Sequence, residues 1–307
     1  VARGSSQRTC NKKRMVEGGW KVASFNIRMK TQEPDPNDNW DFRKDALLQE
    51  LVNSQAAIIG LQEVKPEQLA FLKSSLAEHG FSSVGVGRGA NGDDEASPIF
   101  YKSAEFQLVR EGQRWLSASP AIPGSRLEGA GCPRVVTQAL LKCCHSGKEI
   151  FVFCTHLDHR GMLEAARPFS AGLQIQAAQG EILLKEVEAF CDADDADADV
   201  PRLVLGDFNS WPGAGAHPVL LRHGYHEASQ RASAQATFVG FGSGSWLARF
   251  REWMYKVQID YIFGTKNLEL KGYSVHHNTY KAHDGRSRNL SDHCMISAQV
   301  RMTRAET

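Results

Sequence analysis

Several short apolar runs in this chain stop on residues that do not belong in a hydrophobic core. Phe25-Asn26-Ile27-Arg28 ends one run and Leu61-Gln62-Glu63 ends another. Thr155-His156-Leu157-Asp158-His159 follows the strongly apolar Ile150–Cys154, and Gly206-Asp207-Phe208-Asn209 follows Leu203–Leu205. Gln258-Ile259-Asp260-Tyr261 sets an acid inside an apolar run, and Ser291-Asp292-His293 opens the last one. A carboxylate beside a buried strand carries a desolvation cost unless it is paired or bound to a cation. One such residue is explained as a structural hydrogen-bonder. A repeated pattern at strand ends points to one shared polar site, where the core of a sheet gives way.

The runs interleave with helical patterns. Strands are predicted at Lys21–Ile27, Ala57–Glu63, Ile99–Lys102, Phe106–Arg110, Val135–Lys142, Glu149–Leu157, Leu203–Gly206, Gln258–Phe263 and Cys294–Met302. Leu47, Leu48, Leu51 and Val52 form a stripe that predicts a helix over Trp40–Asn53, capped by Asp38 or Asn39. A second helix spans Pro66–His79, with Pro66 in its first turn and Gly80 as its stop, and a third covers about Ala171–Phe190. Many strands with few, separated helices argue for an α/β sandwich over a regular βαβ wheel. From Trp20 onward no linker is long enough to divide domains, so 20–307 reads as a single domain. Residues 1–19 read as a disordered basic tail, with the remnant of a targeting segment as the alternative.

Two biased segments stand apart. Asp192–Asp199 lacks the Gly and Glu of a calcium loop and reads as a solvated acidic loop. Gly240–Ser245 leads into Trp246–Tyr255, whose aromatics fall at helical spacing. That stretch reads as a helix packed on the body, or else as a lid bringing Arg249 and Arg251 to substrate.

Charge and cysteine content narrow the function. Lys+Arg number 36 against Asp+Glu 35, so nucleic acid is not held by bulk charge and any phosphate must meet a local site. No apolar run approaches the roughly 18 residues of a membrane span. Seven cysteines, an odd number without a CxxC pair, read as reduced thiols in an intracellular protein. Oxygen donors such as Glu63, Asp292 and the Asn26 carbonyl suit a hard cation, Mg²⁺ or Mn²⁺, rather than zinc.

The ordered set FNIR, QE, a Glu before an apolar strand, THLDH, GDFN, IDYI and SDH resembles the endonuclease/exonuclease/phosphatase superfamily, from Phe25 to His293. The resemblance implies two mixed β-sheets packed face to face and flanked by helices in four layers, hydrolysing P–O bonds with a divalent metal. It makes Glu63 the metal-binding glutamate, with Asn26 and Asp292 close to the ion. His293 would contact the scissile phosphate, oriented by Asp260, while Asp207 and Asn209 position water and phosphate oxygens. His156 matches a second histidine found in the deoxyribonuclease-like branch, and Glu95 stands in the place of its carboxylate partner. Arg28 and Arg134 match positions that face phosphate in some members. A metal, arginines and a protonated His156 or His293 would together neutralise the phosphate.

Asp158, His159 and Arg167 are divided between the site rim and structural ion pairing. Trp115 reads as core, and His276-His277 lacks spaced partners for a metal. The leading reading is a nuclease acting on RNA or DNA. The alternative is a phosphatase or phosphodiesterase for a nucleotide, inositol phosphate or sugar phosphate, and a non-catalytic phosphate-binding module ranks third. Balanced charge favours short, single-stranded or small phosphorylated substrates.

Overall fold

The computed structural model describes residues 19–160, 170–193, 199–229, 235–241 and 256–303. The basic tail, the middle of the acidic run, Arg167 and the aromatic segment Trp246–Tyr255 lie outside the described residues.

Two strands at the middle of the chain's first half set one sheet. β1 (Trp20–Asn26) and β2 (Ile58–Gln62) are apolar on both faces, as buried central strands must be, and they pair in parallel with Asn26 level with Gln62. β14 (Met295–Met302) and β11 (Leu268–His276) extend this sheet on one side, β4 (Ile99–Lys102) and β3 (Phe81–Val84) on the other. The second sheet repeats the plan. β7 (Glu149–His156) and β8 (Arg202–Asp207) pair in parallel at its centre, with His156 level with Asp207. Around them lie β5 (Phe106–Trp115) and β6 (Val135–Cys143), then β10 (Asp260–Gly264) and β9 (His226–Glu227). The result is two mixed six-stranded sheets and a small β12–β13 hairpin (Thr279–Lys281, Ser287–Asn289).

Three apolar cores stack these layers. Val22, Ile58, Val152, Leu205 and Ile296 fill the space between the sheets. Leu47 and Leu51 of α1 (Trp40–Asn53), with Leu72 and Leu76 of α2 (Pro66–Glu78), cover the first sheet at Ile59 and Phe100. Leu183, Val187 and Phe190 of α3 (Ala171–Asp192), together with α4 (His217–Arg222), cover the second at Phe151, Phe153 and Val204. The helix–sheet–sheet–helix sandwich inferred from the resemblance is the one found.

The ends of the strands matter most for function. Parallel pairing brings Asn26 and Glu63 out at one edge of the first sheet, and His156 and Asp207 out at the same edge of the second. Antiparallel β10 starts where β8 stops, so Asp260 pairs with Asp207. Antiparallel β14 starts beside the end of β1, which carries Asp292 and His293 to the same edge.

The structure adds elements that the apolar pattern did not indicate: β3, β9, β11, α4 and the hairpin. These are short or lie at the margins, and β11 is broken by a register shift near Gly272. β5 runs on to Trp115, past the expected end at Arg110, through a bulge between Leu108 and Arg110. The described cysteines are all free. Among the described residues no helix is long and apolar enough to cross a membrane.

The sheets approach closely at Gly60, where an added Cβ would lie 2.9 Å from Cys154 Sγ and 3.0 Å from Leu205 Cβ. Gly60→Ala is expected to overpack this seam and destabilise the fold by about 1–3 kcal/mol. An unchanged urea midpoint would show that the seam has slack.

Candidate active site

Asp207, at the end of β8, is 1% exposed and lies at the meeting point of the two sheets. Its carboxylate collects donors from both sides. Asn26 Nδ2 donates to Asp207 Oδ2 at 2.9 Å and to Glu63 Oε1 at 3.0 Å. The backbone N–H of Asn209 donates to Asp207 Oδ1 at 2.8 Å. On the far side of Asn26, its Oδ1 accepts the N–H of Arg28 at 3.0 Å. Two carboxylates on one side and an N–H on the other fix the amide orientation. The Asn26 carbonyl, expected beside a metal, is therefore engaged with the backbone, and the amide nitrogen bridges the acids.

The two histidines carry different charge. His293 Nδ1 is 2.9 Å from Asp260 Oδ2, and its Nε2 is 3.7 Å from Asp207 Oδ2. Burial works against the imidazolium, but Asp260, Asp207 and Asp292 outweigh it and push the His293 pKa up to about 10. His156 Nε2 accepts from Asn209 Nδ2 at 3.0 Å, and that amide also donates to Leu157 O. Burial, with Arg134 and Arg88 nearby, holds the His156 pKa well below the ordinary value. His156 is thus a neutral ring at neutral pH, and of the two histidines expected to offer a charge it is His293 that carries it. Its expected carboxylate partner is also engaged elsewhere: Glu95 Oε1 accepts from Arg88 Nη2 at 2.8 Å.

The acids respond to the same burial. Asp207 is pushed up to about 7 by desolvation and by Asp260. Asp292 is raised, chiefly by burial, whereas Glu63 is lowered because Arg28, Asn26 and His293 more than offset its desolvation. Ligand atoms of Glu63, Asp207 and His293 all lie within 4.8 Å of one another. The carboxylates of that group are a hard-oxygen donor set that fits a divalent cation. Of the residues expected at a metal, Glu63 belongs to this group, Asn26 bridges Glu63 and Asp207 through its amide nitrogen, and Asp292 Oδ2 lies 3.8 Å from Arg28 Nη1.

Above this floor opens a cavity of about 590 Å³, lined by Arg28, Arg88, Arg134, His159, Cys132 and Phe238 as well as by the site residues. Arg134 is 3% exposed, and among the described residues its Nε and Nη1 have no hydrogen-bond partner, while Nη2 lies 3.3 Å from His159 Nδ1. Arg28 is turned towards acids: its Nε donates to Glu33 Oε1 at 2.9 Å, and Nη1 is 3.9 Å from Glu63.

Arg88 belongs to this wall although no motif marks it. Its Nε donates to Asp94 at 2.9 Å, and Trp115, a core residue as expected, donates from Nε1 to the Arg88 carbonyl at 2.7 Å. Glu33 was likewise not legible, because neither residue sits at the end of an apolar run. Asp158 proves structural: its carboxylate accepts the N–H groups of Gly131 and Arg160. His159 is at the rim. Arg28, Glu63 and Asn209 all have positive φ, at 58°, 61° and 48°. Non-glycine residues occupy this region at a cost, and only where surrounding contacts over-determine them.

A profile described as "Endonuclease/Exonuclease/phosphatase family" matches residues 23–131 and 192–293. Nocturnin of Drosophila melanogaster is 28% identical over 197 residues, 61% of this chain and 27% of that protein. Nocturnin of Xenopus laevis is 28% identical over 182 residues, 56% of this chain and 41% of that protein. The chain thus aligns with well under half the length of these curated relatives. A mannosyl-6-phosphatase of Bacteroides thetaiotaomicron superposes with a TM-score of 0.77 at 25% identity, covering 92% of this chain and 100% of that one.

The charge on His293 is open to direct test. A raised folded pKa contributes stability that is complete below about pH 6.5 and is lost as pH rises through about 10. Asp260→Asn is expected to move the upper end of that window down, seen in ¹⁵N chemical shifts of the ring and in denaturation between pH 6 and 10. A ring that titrates identically in both proteins would refute the role given to Asp260.

Proposed function

Since the chain belongs to the endonuclease/exonuclease/phosphatase family, whose members are phosphoester hydrolases, we propose that it hydrolyses a compact phosphorylated molecule that enters the pocket whole. The cavity beneath the buried N–H groups of Arg134, which have no partner among the described residues, carries this reading. Its volume of about 590 Å³ is that of a small-molecule site. The mannosyl-6-phosphatase that aligns along its whole length supports the same direction. A small phosphate ester therefore moves ahead of the nuclease reading favoured by the motifs. Phe238 keeps that second reading open, its ring centroid 5.1 Å from His293 at the rim, where the terminal base of a single strand could stack.

The residues divide the chemistry as follows. Arg134 donates Nε–H and Nη1–H to the non-bridging phosphate oxygens, a service that unpaired donors perform without first breaking other bonds. Asp207, with its pKa near neutrality, accepts the proton of the attacking water. As the P–O bond to the leaving group breaks, His293 Nε2 gives that oxygen a proton, and Asp260 holds the ring and its charge. Asn209 fixes Asp207 through its backbone and His156 through its side chain.

Enzymes of this family generally depend on a divalent metal. Glu63 would hold Mg²⁺ or Mn²⁺, with Asp292 nearby and Asp207 left free as proton acceptor, and the ion would supply positive charge to the phosphate. His293, kept protonated by three carboxylates, serves as proton donor rather than ligand.

With Mg²⁺ or Mn²⁺, sugar phosphates, nucleotides or inositol phosphates are expected to give a kcat/KM at least ~10-fold above single-stranded oligonucleotides, a difference of about 1.4 kcal/mol. Faster turnover of poly(A), or nicking of duplex DNA, would reverse the order of the two readings. Glu63→Ala is expected to abolish metal-dependent turnover while far- and near-UV circular dichroism stay native. Retained activity would remove Glu63 from the metal site.

A further inference from the structure

Arg43, on the first turn of α1, is completely buried among the described residues and forms no ion pair with them. Among these residues its guanidinium donates only to carbonyls. Nε reaches Asp38 O at 3.0 Å, Nη1 reaches Ile27 O at 2.5 Å and Leu290 O at 3.1 Å, and Nη2 reaches Arg28 O at 2.7 Å. Trp40 and Phe241 cover the planar faces, 5.3 and 5.5 Å from the guanidinium carbon. Burial lowers its pKa to about 10 despite Asp292 and Glu33 in the vicinity, so it stays charged at neutral pH.

A buried cation without a bonded acid is costly, and a stability role alone would be met more cheaply by an apolar side chain. The distinguishing feature is which carbonyls it gathers. Ile27 and Arg28 follow Asn26 at the end of β1, and Leu290 precedes Ser291-Asp292-His293. Among the described residues no strand ladder ties these two segments beyond Ser24 and Ile296; Ser291 Oγ donates to Asn26 O at 2.8 Å, and Arg28 Nη1 lies 3.8 Å from Asp292 Oδ2. Arg28 also adopts φ 58°, and its carbonyl is held by Arg43 together with Gln68 Nε2 at 3.1 Å.

We infer that Arg43 is a positioning residue for phosphoester hydrolysis. Its planar fork sets the separation between the end of β1 and the segment before β14, and thereby places Asn26 and Arg28 against Asp292 and His293. The inference rests on the hydrolytic chemistry proposed above and is independent of which phosphoester is the substrate. A lysine cannot replace the fork, because a single ammonium does not span carbonyls on three segments.

The test compares Arg43→Lys and Arg43→Gln with Leu270→Ala, a core truncation on β11 in a different part of the first sheet. Assays use whichever phosphoester the wild-type protein turns over, well below each variant's Tm. Misplacement of reacting groups by as little as ~1 Å can cost on the order of 10²-fold in rate. Arg43→Lys is accordingly expected to lower kcat by at least ~10-fold. KM should change by less than ~3-fold, while Leu270→Ala lowers Tm and keeps kcat within ~2-fold. If the Arg43 variants lose Tm but keep kcat, Arg43 is only structural and the inference fails. Loss of the folded state in both variants would likewise assign Arg43 to the fold as a whole. A wild-type protein inert on every phosphoester would count instead against the function, and is read separately.

Discussion

The carboxylate of Asp207 is shut between two sheets, and the surrounding polar residues are arranged by that fact. Two unit charges about 4 Å apart interact by about 4 kcal/mol at an effective dielectric of 20, so the field of one buried acid reaches every neighbour. Asn26 and Asn209 offer it N–H groups, His293 offers a cation 3.7 Å away, and Asp260 holds that cation in place. The arrangement leaves an acid with its pKa pushed up to about 7 beside an imidazolium, the acceptor and donor of the proposed hydrolysis. A hydrolase of phosphate esters needs both in the same few ångströms.

Geometry delivers these groups without long loops. Each sheet has a parallel pair at its centre, and parallel strands end level with one another. Two such pairs, packed face to face, present four chain ends at one edge, and antiparallel β10 and β14 begin there. The site is therefore built mainly on rigid elements. The pocket wall, by contrast, comes from the connections that carry Arg88 and Arg134. The protein's nearly balanced charge thus conceals an acidic floor under a basic wall.

The floor was legible in the sequence because a buried strand that ends on Asn, Glu, His or Asp violates hydrophobic patterning. Glu63, Asp207, Asp260 and His293 all announce themselves that way. Their bonds were not legible. Whether Asn26 turns its oxygen or its nitrogen to the acids depends on the N–H of Arg28, and the charge on His156 depends on its burial and then on Arg134 and Arg88. Glu95 could be placed near the site by its neighbours, yet its partner, Arg88, lies in a stretch without pattern. Arg43 sits among ordinary helix residues, and only the buried carbonyls around it reveal its importance. The missed strands have the same origin: β3 and β11 lie at sheet margins, where one side needs no partner and the apolar signal weakens.

The left-handed backbone at Arg28, Glu63 and Asn209 has a consequence for how this protein can change. At each position the main chain alone would be most comfortable with glycine, whereas the chemistry requires a long or polar side chain. Comfort of the chain and reactivity of the site are set against each other at single residues. A route to a sturdier protein through these positions therefore leads away from an active one, and gains in robustness must come from elsewhere in the sandwich.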